Sequence, residues 1–212
     1  MLRDKAVELM GYRLGNRDDL NDKIIAEMQF VQEMILEGTG AFTPWFLETE
    51  MAFVDITAGE ERVPVPDDFI GEIEGQHLWL YTVDNTDIPY RELHKSSYDL
   101  LLQKHPAMSS PLEYAISGSY FLLRPVPSEA GVLRMRYYAK DLPVTSNIEN
   151  QWLRYASDLF IAETSVIMAD NYLQNPGMAE RFRQNALVAR DRLYKKHESR
   201  QHVNRIYGMG ED

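Results

Sequence analysis

The strongest periodic pattern in the chain lies in its last third and predicts two packed helices. Apolar residues recur there at alternating steps of three and four, the spacing of one helix face. The stripe of the first helix comprises Trp152, Tyr155, Leu159, Ala162, Val166, Ala169 and Leu173. After a break at Asn175-Pro176-Gly177, a matching stripe comprises Met178, Phe182, Ala186, Ala189 and Leu193. A short connection between matched stripes predicts an antiparallel helical hairpin, which opens with a capping box at Ser146 and Glu149.

A β-rich region precedes this hairpin. Between Tyr114 and Pro143, two runs rich in aromatic and branched residues flank the turn-like segment from Pro125 to Gly131. This pattern predicts that the two runs pair as an antiparallel β-hairpin. In the second run, one face carries Leu133, Met135 and Tyr137, and the other carries Arg134, Arg136 and Tyr138. We therefore expect a strand with one buried face.

The first forty residues are helical again. Residues 2–14 show apolar positions at helical spacing, and Gly15-Asn16 interrupts them. A second helix is predicted to end at Gly38, with a buried stripe formed by Ile24, Met28, Val31 and Ile35. The chain thus runs from helices to strands and back to helices.

This order predicts an α+β fold. We expect a helical bundle formed by the N- and C-terminal helices, with an inserted antiparallel β module that is a small sheet or sandwich. The predicted domains are the helical bundle (1–43 and 144–202), the β-rich domain (44–143) and a C-terminal tail (203–212).

Charge is distributed unevenly along the 212 residues. Residues 1–100 contain 8 basic and 21 acidic residues, whereas residues 101–212 contain 14 and 12, so the net charges are −13 and +2. Eight of the basic residues lie between Arg181 and Arg205. This stretch is either a solvated basic helix or a docking surface for an acidic partner. The net charge of −11 argues against tight binding of nucleic acid by the whole chain.

Motifs that signal catalysis or cofactor binding are missing from the sequence. There is no cysteine, which excludes disulfides, thiolate metal sites and cysteine nucleophiles. The five histidines lack the spacing of a helical metal site, and no phosphate-binding loop or G-x-S-x-G motif occurs. No apolar run is long enough for a membrane span, and the N-terminus has no apolar signal-peptide core. We expect neither a cofactor nor a membrane contact.

Two weaker signals leave other functions open. Glu48 and Glu50 could share one face of a strand, as the carboxylate pair of a glycosidase would require. Aromatic residues on the predicted strands could form a platform for carbohydrate, although most are expected to fill the core. These aromatic positions are Trp45, Phe46, Trp79, Tyr81, Tyr120, Phe121, Tyr137 and Tyr138.

Four segments occur in an order that points to a known family. They are Pro44-Trp45-Phe46-Leu47, the run Arg62 to Ile70 with Pro66-Asp67-Asp68-Phe69, the run Leu122 to Pro127, and the run Arg136 to Pro143. Together with the closing helix pair, this series resembles the adaptor proteins of tailed bacteriophages, also called head-to-tail connector or upper tail-tube proteins. The resemblance covers nearly the whole chain, and none of its motifs is catalytic.

The resemblance implies a structural virion protein of the head–tail junction, assembled in the host cytoplasm, and not an enzyme. Members of this family form a twelve-subunit ring under the portal, which continues the DNA exit channel toward the tail nozzle. The implied partners are the portal protein, the tail nozzle or tail-tube protein, and further copies of the chain. Double-stranded DNA would pass without specific binding. The alternatives are a virion-associated cell-wall-degrading enzyme that uses Glu48 or another acidic residue, and a carbohydrate-binding module.

The resemblance also points to a candidate docking site. In the family the helical part usually packs toward the portal, the β part faces the tail, and the C-terminal segment often reaches into clefts of the portal. On this chain the candidate portal-docking residues are Arg200, Val203, Arg205, Ile206, Tyr207 and Met209. We expect this tail to become ordered only on its partner.

Overall fold

The fold is α+β, as the order of elements predicted. The computed structural model describes residues 1–38, 43–49, 52–73, 75, 78–104, 106–145, 147 and 149–207, with the backbone alone for 36–38 and 201–207. The chain divides into two compact units. The helical unit comprises Met1–Leu47 with Asp141–Asp212, and the β unit comprises Glu48–Lys140.

Six α-helices are found in the described residues. They are α1 (Arg3–Arg13), α2 (Asn21–Gly38), α3 (Tyr98–Gln103), α4 (Gln151–Tyr155), α5 (Ser157–Ile167) and α6 (Pro176–Tyr207). Two short 3₁₀ turns, Asp18–Leu20 and Trp45–Leu47, and a π-helical turn, Met168–Tyr172, accompany them. Within the described ranges, no helix combines the length and the apolar character that a membrane crossing requires.

The two N-terminal helices follow the predicted pattern. α1 ends where Gly15 and Asn16 adopt positive φ angles of 95° and 65°, a conformation that a continuing helix cannot contain. In α2, the predicted stripe of Ile24, Met28, Val31 and Ile35 is fully buried. The apolar period of the sequence therefore identifies the packed face of α2.

The region predicted as one long helix after residue 150 consists of three segments. α4 ends at Ala156, whose φ of −132° departs from helical geometry, and α5 gives way to a π-helical turn after Ile167. The N-cap of α4 is Asn150, whose side-chain oxygen accepts a hydrogen bond from the Leu153 backbone N–H at 3.2 Å. Ser146 of the predicted capping box lies outside the described residues.

The predicted antiparallel hairpin is formed by α5 and α6. Asn175 caps α6 by accepting a hydrogen bond from the Met178 N–H at 3.0 Å, and Pro176 occupies the first helical position, where its missing N–H costs nothing. Arg190 pairs with Glu163 at 2.6 Å, and Arg183 pairs with Asp170 at 3.0 Å. Arg183 precedes Arg190 in the chain, whereas its partner Asp170 follows Glu163. The two segments therefore run antiparallel.

The described residues of the β unit contain eleven strands. They are β1 (Ala52–Ile56), β2 (Arg62–Pro64), β3 (Phe69–Glu72), β4 (Leu78–Thr82), β5 (Arg91–Lys95), β6 (Met108–Ser109), β7 (Glu113–Ser117), β8 (Tyr120–Arg124), β9 (Val126–Pro127), β10 (Gly131–Met135) and β11 (Tyr137–Ala139). Seven of them form one sheet in the order β1-β10-β4-β5-β7-β8-β2. Two further pairs, β11 with β3 and β6 with β9, stand beside it.

The prediction of a small antiparallel module is wrong in two respects. The main sheet has seven strands, and it is mixed because β5 and β7 pair in parallel. Parallel neighbours need a long crossover connection, and the segment that contains α3 and β6 provides it. Ser97 caps α3, since its hydroxyl accepts a hydrogen bond from the Leu100 N–H.

The predicted hairpin between the two runs of residues 114–143 does not form. β8 pairs with β7 and β2, whereas β10 pairs with β1 and β4. The first run is itself a hairpin, β7–β8, which turns at Gly118 with a positive φ of 58°. The predicted buried face of the second run is confirmed, because Leu133, Met135 and Tyr137 lie in the core of the β unit. The predicted opposite face is wrong in part, because Tyr138 is also buried.

The main sheet curls around this core. Its edge strands β1 and β2 are consecutive in sequence and contact each other. The core between them includes buried side chains from both edges and from the centre, such as Ile56, Val63, Leu93 and Phe121. The two edges of the main sheet therefore lie close together.

The close approach of β10 and β4 at Gly131 gives a first prediction. A Cβ atom at this position would lie 3.0 Å from the Tyr81 carbonyl oxygen and 3.3 Å from Leu80 Cδ1. Gly131→Ala is therefore expected to reduce the free energy of unfolding by about 1–3 kcal/mol, measured by urea unfolding. Gly71→Ala is the matched control, because no atom lies within 4 Å of its Cβ position. Equal stability of the two variants would contradict the close packing of Gly131 against Leu80 and Tyr81.

Candidate interaction surfaces

The C-terminal half of α6 is held by an aromatic cluster. The Arg200 guanidinium lies over the Trp45 ring, 4.7 Å from its centroid. Such a cation–π contact stabilises by about 0.5–1 kcal/mol at an exposed site. Arg200 is the last residue of α6 whose side chain the structure describes.

The cluster is built on the Pro44-Trp45-Phe46-Leu47 segment, which helped to carry the family resemblance. Phe46 meets Trp152 edge-on with centroids 5.1 Å apart, and it stacks on Tyr155 at 5.6 Å. Trp45 in turn contacts Phe46 at 5.4 Å. Trp152 and Phe46 are buried, so this segment packs on α4 through apolar contact, while Trp45 contacts α6 through Arg200.

The Asp141-Leu142-Pro143 segment is a second joint in the helical unit. The Asp141 carboxylate accepts hydrogen bonds from the backbone N–H groups of Leu142 at 2.8 Å and Trp152 at 3.2 Å. Burial nevertheless raises the pKa of Asp141, while these N–H donors oppose the shift. Gln32 of α2 donates to the Leu142 carbonyl at 3.1 Å and accepts from the Val144 N–H at 3.1 Å. The segment therefore links α2 to the start of α4.

The candidate docking residues are only partly described. Val203, Arg205, Ile206 and Tyr207 lie on the helical backbone of α6, and Met209 lies outside the described residues. The predicted tail boundary at residue 203 thus falls within the helix. Beyond Arg200, α6 continues for seven residues, which is about 10 Å of helix. Docking by these residues stays a prediction.

A groove with basic sides lies between α1, α5 and α6. Its volume is about 420 Å³, and Arg13, Arg181 and Arg192 line it together with Asp158. Its apolar lining includes Phe182, Ala162 and Ala189, which are buried. Within the described residues, none of the three arginines forms an ion pair. We call this feature the basic groove.

Glu48, one of the two carboxylates on which the enzyme hypothesis depends, is engaged in a structural contact. Glu48 forms an ion pair with Arg136 at 3.1 Å, so the group that the enzyme hypothesis needs free to protonate a leaving group is occupied. Glu50 lies outside the described residues. Asp68 accepts a hydrogen bond from the Tyr137 hydroxyl at 2.7 Å, and burial together with this bond raises the pKa of Tyr137. The Pro66-Asp67-Asp68-Phe69 segment therefore anchors β11.

The described histidines do not assemble into a site. His94 is exposed on β5 and His197 is buried on α6, while His77 and His105 lie outside the described residues. Burial lowers the pKa of His197, and the neighbouring Glu198 carboxylate opposes this shift. Among the residues that the structure describes, no three His, Asp or Glu side chains converge as a metal site requires.

Most strand aromatics lie in the core, as expected. Tyr81, Phe121, Tyr137 and Tyr138 are buried, and Trp79 and Tyr120 are partly buried. A platform for stacking sugars or bases needs several rings on one exposed face. Two exposed aromatic side chains do lie in the β unit, Phe53 on β1 and Tyr90 just before β5, and other large exposed apolar side chains include Ile88, Leu102 and Val188.

Sequence reasoning detected the basic stretch of α6 but missed the basic groove. Arg181 and Arg192 are eleven residues apart, about three helical turns, so they lie on one face of α6. That spacing was a signal that the sequence offered. Arg13 belongs to α1, and only the packing of the helical unit brings it to the same groove.

Comparison with known protein families gives a match over nearly the whole chain. A family model described as SU10 adaptor protein matches residues 6–207. The match spans α1 through α6 and every strand described in the β unit. A search of curated proteins found no match for the chain.

Proposed function

Because this chain belongs to the SU10 adaptor protein family of tailed-phage head–tail adaptors, we propose that it is a ring-forming subunit that joins the portal to the tail nozzle. As a member of this family it is a structural component of the virion at the head–tail junction, where it associates with portal and tail components. The single observation that carries the proposal is the family match over residues 6–207.

The ring would contain twelve copies and continue the DNA exit channel without specific DNA contacts. Charge supports this part of the proposal, because a chain of net charge −11 repels the phosphates of passing DNA. The absence of catalysis belongs to the same proposal. The ion pair of Glu48 with Arg136 supports it, since that carboxylate is already engaged.

The helical unit would act as one bundle that docks on the portal through the end of α6, while the β unit would face the tail. The anchoring of α6 supports this arrangement, because Arg200 on Trp45 holds the helix and leaves seven helical residues beyond the contact. Residues 203–209 include Val203, Ile206, Tyr207 and Met209 beside Arg205, a mixture suited to an interface.

A C-terminal truncation tests the docking site. Deletion of residues 203–212 is expected to leave a folded protein, because it keeps the α6 residues Arg183, Arg190 and Arg200, which contact Asp170, Glu163 and Trp45. Affinity for the purified portal of the same phage should fall at least about 100-fold, which corresponds to about 2.7 kcal/mol. Biolayer interferometry measures the affinity, and circular dichroism checks the fold. Truncation of residues 208–212 alone is the control that separates the end of the helix from the last five residues of the chain.

Electron microscopy tests the ring itself. Portal mixed with the full chain should show an added ring on the portal axis. If the truncated protein docks as well as the full chain, the assignment of the docking segment is wrong but the ring remains possible. If the full chain adds no ring to the portal, the proposed function is wrong.

A further inference from the structure

The basic groove presents a stripe along α6 whose two arginines, Arg181 and Arg192, form no ion pair within the described chain. Arg181, Asn185, Val188 and Arg192 follow one another at steps of four, three and four, so they share one face. All four are exposed, and Val188 retains 52% of its accessible surface. An exposed apolar residue between two arginines is typical of a contact surface whose centre is apolar and whose rim is charged.

A face with the opposite charges runs along α2. Asp22, Ala26, Phe30 and Glu33 follow one another at steps of four, four and three, and all four are exposed. Phe30 retains 55% of its surface, so the ring is available for contact. Within the described part of the chain, neither Asp22 nor Glu33 forms an ion pair. We call this surface the acidic face.

The two surfaces match in length as well as in charge. Asp22 and Glu33 are eleven residues apart, and so are Arg181 and Arg192, which gives each pair a separation of about 16 Å. Each pair flanks one exposed apolar side chain, Phe30 or Val188. Packed side by side, the helices would bring both carboxylates to both arginines, whichever way the helices run.

We infer that the acidic face of one copy of this chain docks into the basic groove of the next copy. This inference rests on the proposed function and names the contact between neighbouring subunits of the ring. The two surfaces lie on different helices of the same chain, so the contact is heterologous. Heterologous contacts repeat from copy to copy and close into rings when the rotation permits.

Nucleic acid is a weaker candidate for the basic groove. Phosphates would pair with the arginines but would leave the acidic face and the exposed ring of Phe30 without a role. Asp158 inside the groove and the net charge of −11 also oppose a polyanion. A second copy satisfies both surfaces at once.

Charge reversal on each surface tests the inference. The groove variant is Arg181→Glu with Arg192→Glu, and the face variant is Asp22→Lys with Glu33→Lys. Each should reduce the fraction of portal particles that carry a complete ring at least about tenfold, because like charges would then oppose each other across the contact. The variant with all four reversals restores opposite charges and should assemble again. Electron microscopy of portal mixed with each variant counts the rings.

Controls separate this contact from folding and from general charge effects. Lys5→Glu and Glu8→Lys reverse exposed charges on α1 away from both surfaces, and rings should form normally. Circular dichroism should show the native helical signal for every variant. Raising the salt concentration should weaken wild-type ring assembly, because the pairs are exposed and are screened by ions.

The results of these assembly experiments distinguish failure of the subunit contact from failure of the proposed function. Normal rings from either reversed variant would overturn the inference while leaving the ring-forming function intact. Failure of the fourfold variant to recover would also overturn it, because the two surfaces would then not be partners. If only the groove variant fails, the groove binds an acidic surface of the portal or nucleic acid instead of a second copy. If the wild-type chain forms no ring on the portal, the proposed function fails first.

Discussion

Replacing Trp152 with alanine is expected to destabilise the helical unit by about 3–5 kcal/mol. Trp152 is fully buried and meets Phe46 edge-on at 5.1 Å. Alanine would remove the largest fully buried side chain among the described residues and leave a cavity beside Phe46. The loss is a large fraction of the roughly 5–15 kcal/mol by which a typical domain is stable, so the urea concentration at the midpoint of unfolding should fall markedly.

Two substitutions in the same cluster calibrate this result. Tyr155 stacks on Phe46 at 5.6 Å but is 39% exposed, so Tyr155→Ala should cost only about 1 kcal/mol. Trp152→Phe retains most of the apolar volume. The indole N–H has no hydrogen-bond partner among the described residues, so its removal breaks no hydrogen bond. Urea unfolding, monitored by far-ultraviolet circular dichroism, ranks the three variants by their free energy of unfolding. Equal losses of stability for Trp152→Ala and Tyr155→Ala would contradict the central packing role of Trp152.

Local periodicity identified buried faces well. Ile24, Met28, Val31 and Ile35 were assigned to the core of α2, and Leu133, Met135 and Tyr137 to the core of the β unit. A buried face follows from the spacing of apolar residues along one element, so a short stretch of sequence is enough to predict it. The resemblance to phage adaptors was likewise recognised from short segments, and the family match confirms it.

Strand pairing was not predictable in the same way. The prolines between Pro125 and Gly131 suggested a turn between two paired strands, yet the true turn of β8 is at Gly118. Hairpin signals specify a change of direction but not which strand lies alongside in the sheet. The parallel pair of β5 and β7 depends on a crossover whose path is decided by packing.

The helix break at Ala156 shows a related limit. The apolar stripe passes through Tyr155 and Leu159 without interruption, so periodicity alone predicts a continuous helix. Ser157 and Asp158, which suit the first turn of a helix, were the local sign of a new start. The basic groove could not be predicted from the sequence, because only the packing of three helices brings Arg13 close to Arg181 and Arg192.

Removing Glu61 is expected to destabilise the β unit more than removing Arg124, although Glu61 is the more exposed partner of this ion pair. The two side chains meet at 2.7 Å, and their accessible fractions are 34% for Glu61 and 7% for Arg124. Glu61→Ala leaves a buried guanidinium without its counter-ion, at a cost of about 3–5 kcal/mol. Arg124→Ala leaves a carboxylate that water can reach, so its cost should be about 2–3 kcal/mol, much of it lost packing.

The surroundings of Arg124 explain this asymmetry. Its Nη1 atom donates to the Leu123 carbonyl at 3.0 Å, and Nε has no partner in the described part of the chain. The guanidinium therefore depends on Glu61 for its charge balance. The Glu61 backbone carbonyl accepts from the Leu123 N–H at 2.8 Å, a bond that side-chain substitution preserves. Both variants thus keep the pairing of β2 with β8 and differ in the charge left behind.

A double variant and a neighbouring control complete the test. Arg124→Met with Glu61→Leu removes both charges and should recover most of the stability, because apolar replacements of a buried pair are often close to neutral. Arg62, whose side chain is 56% exposed, pairs with Glu61 only at 3.8 Å, so Arg62→Ala should cost less than about 1 kcal/mol. Urea unfolding at neutral pH measures all four variants. A larger loss for Arg124→Ala than for Glu61→Ala would show that packing by the arginine stem outweighs the cost of its uncompensated charge.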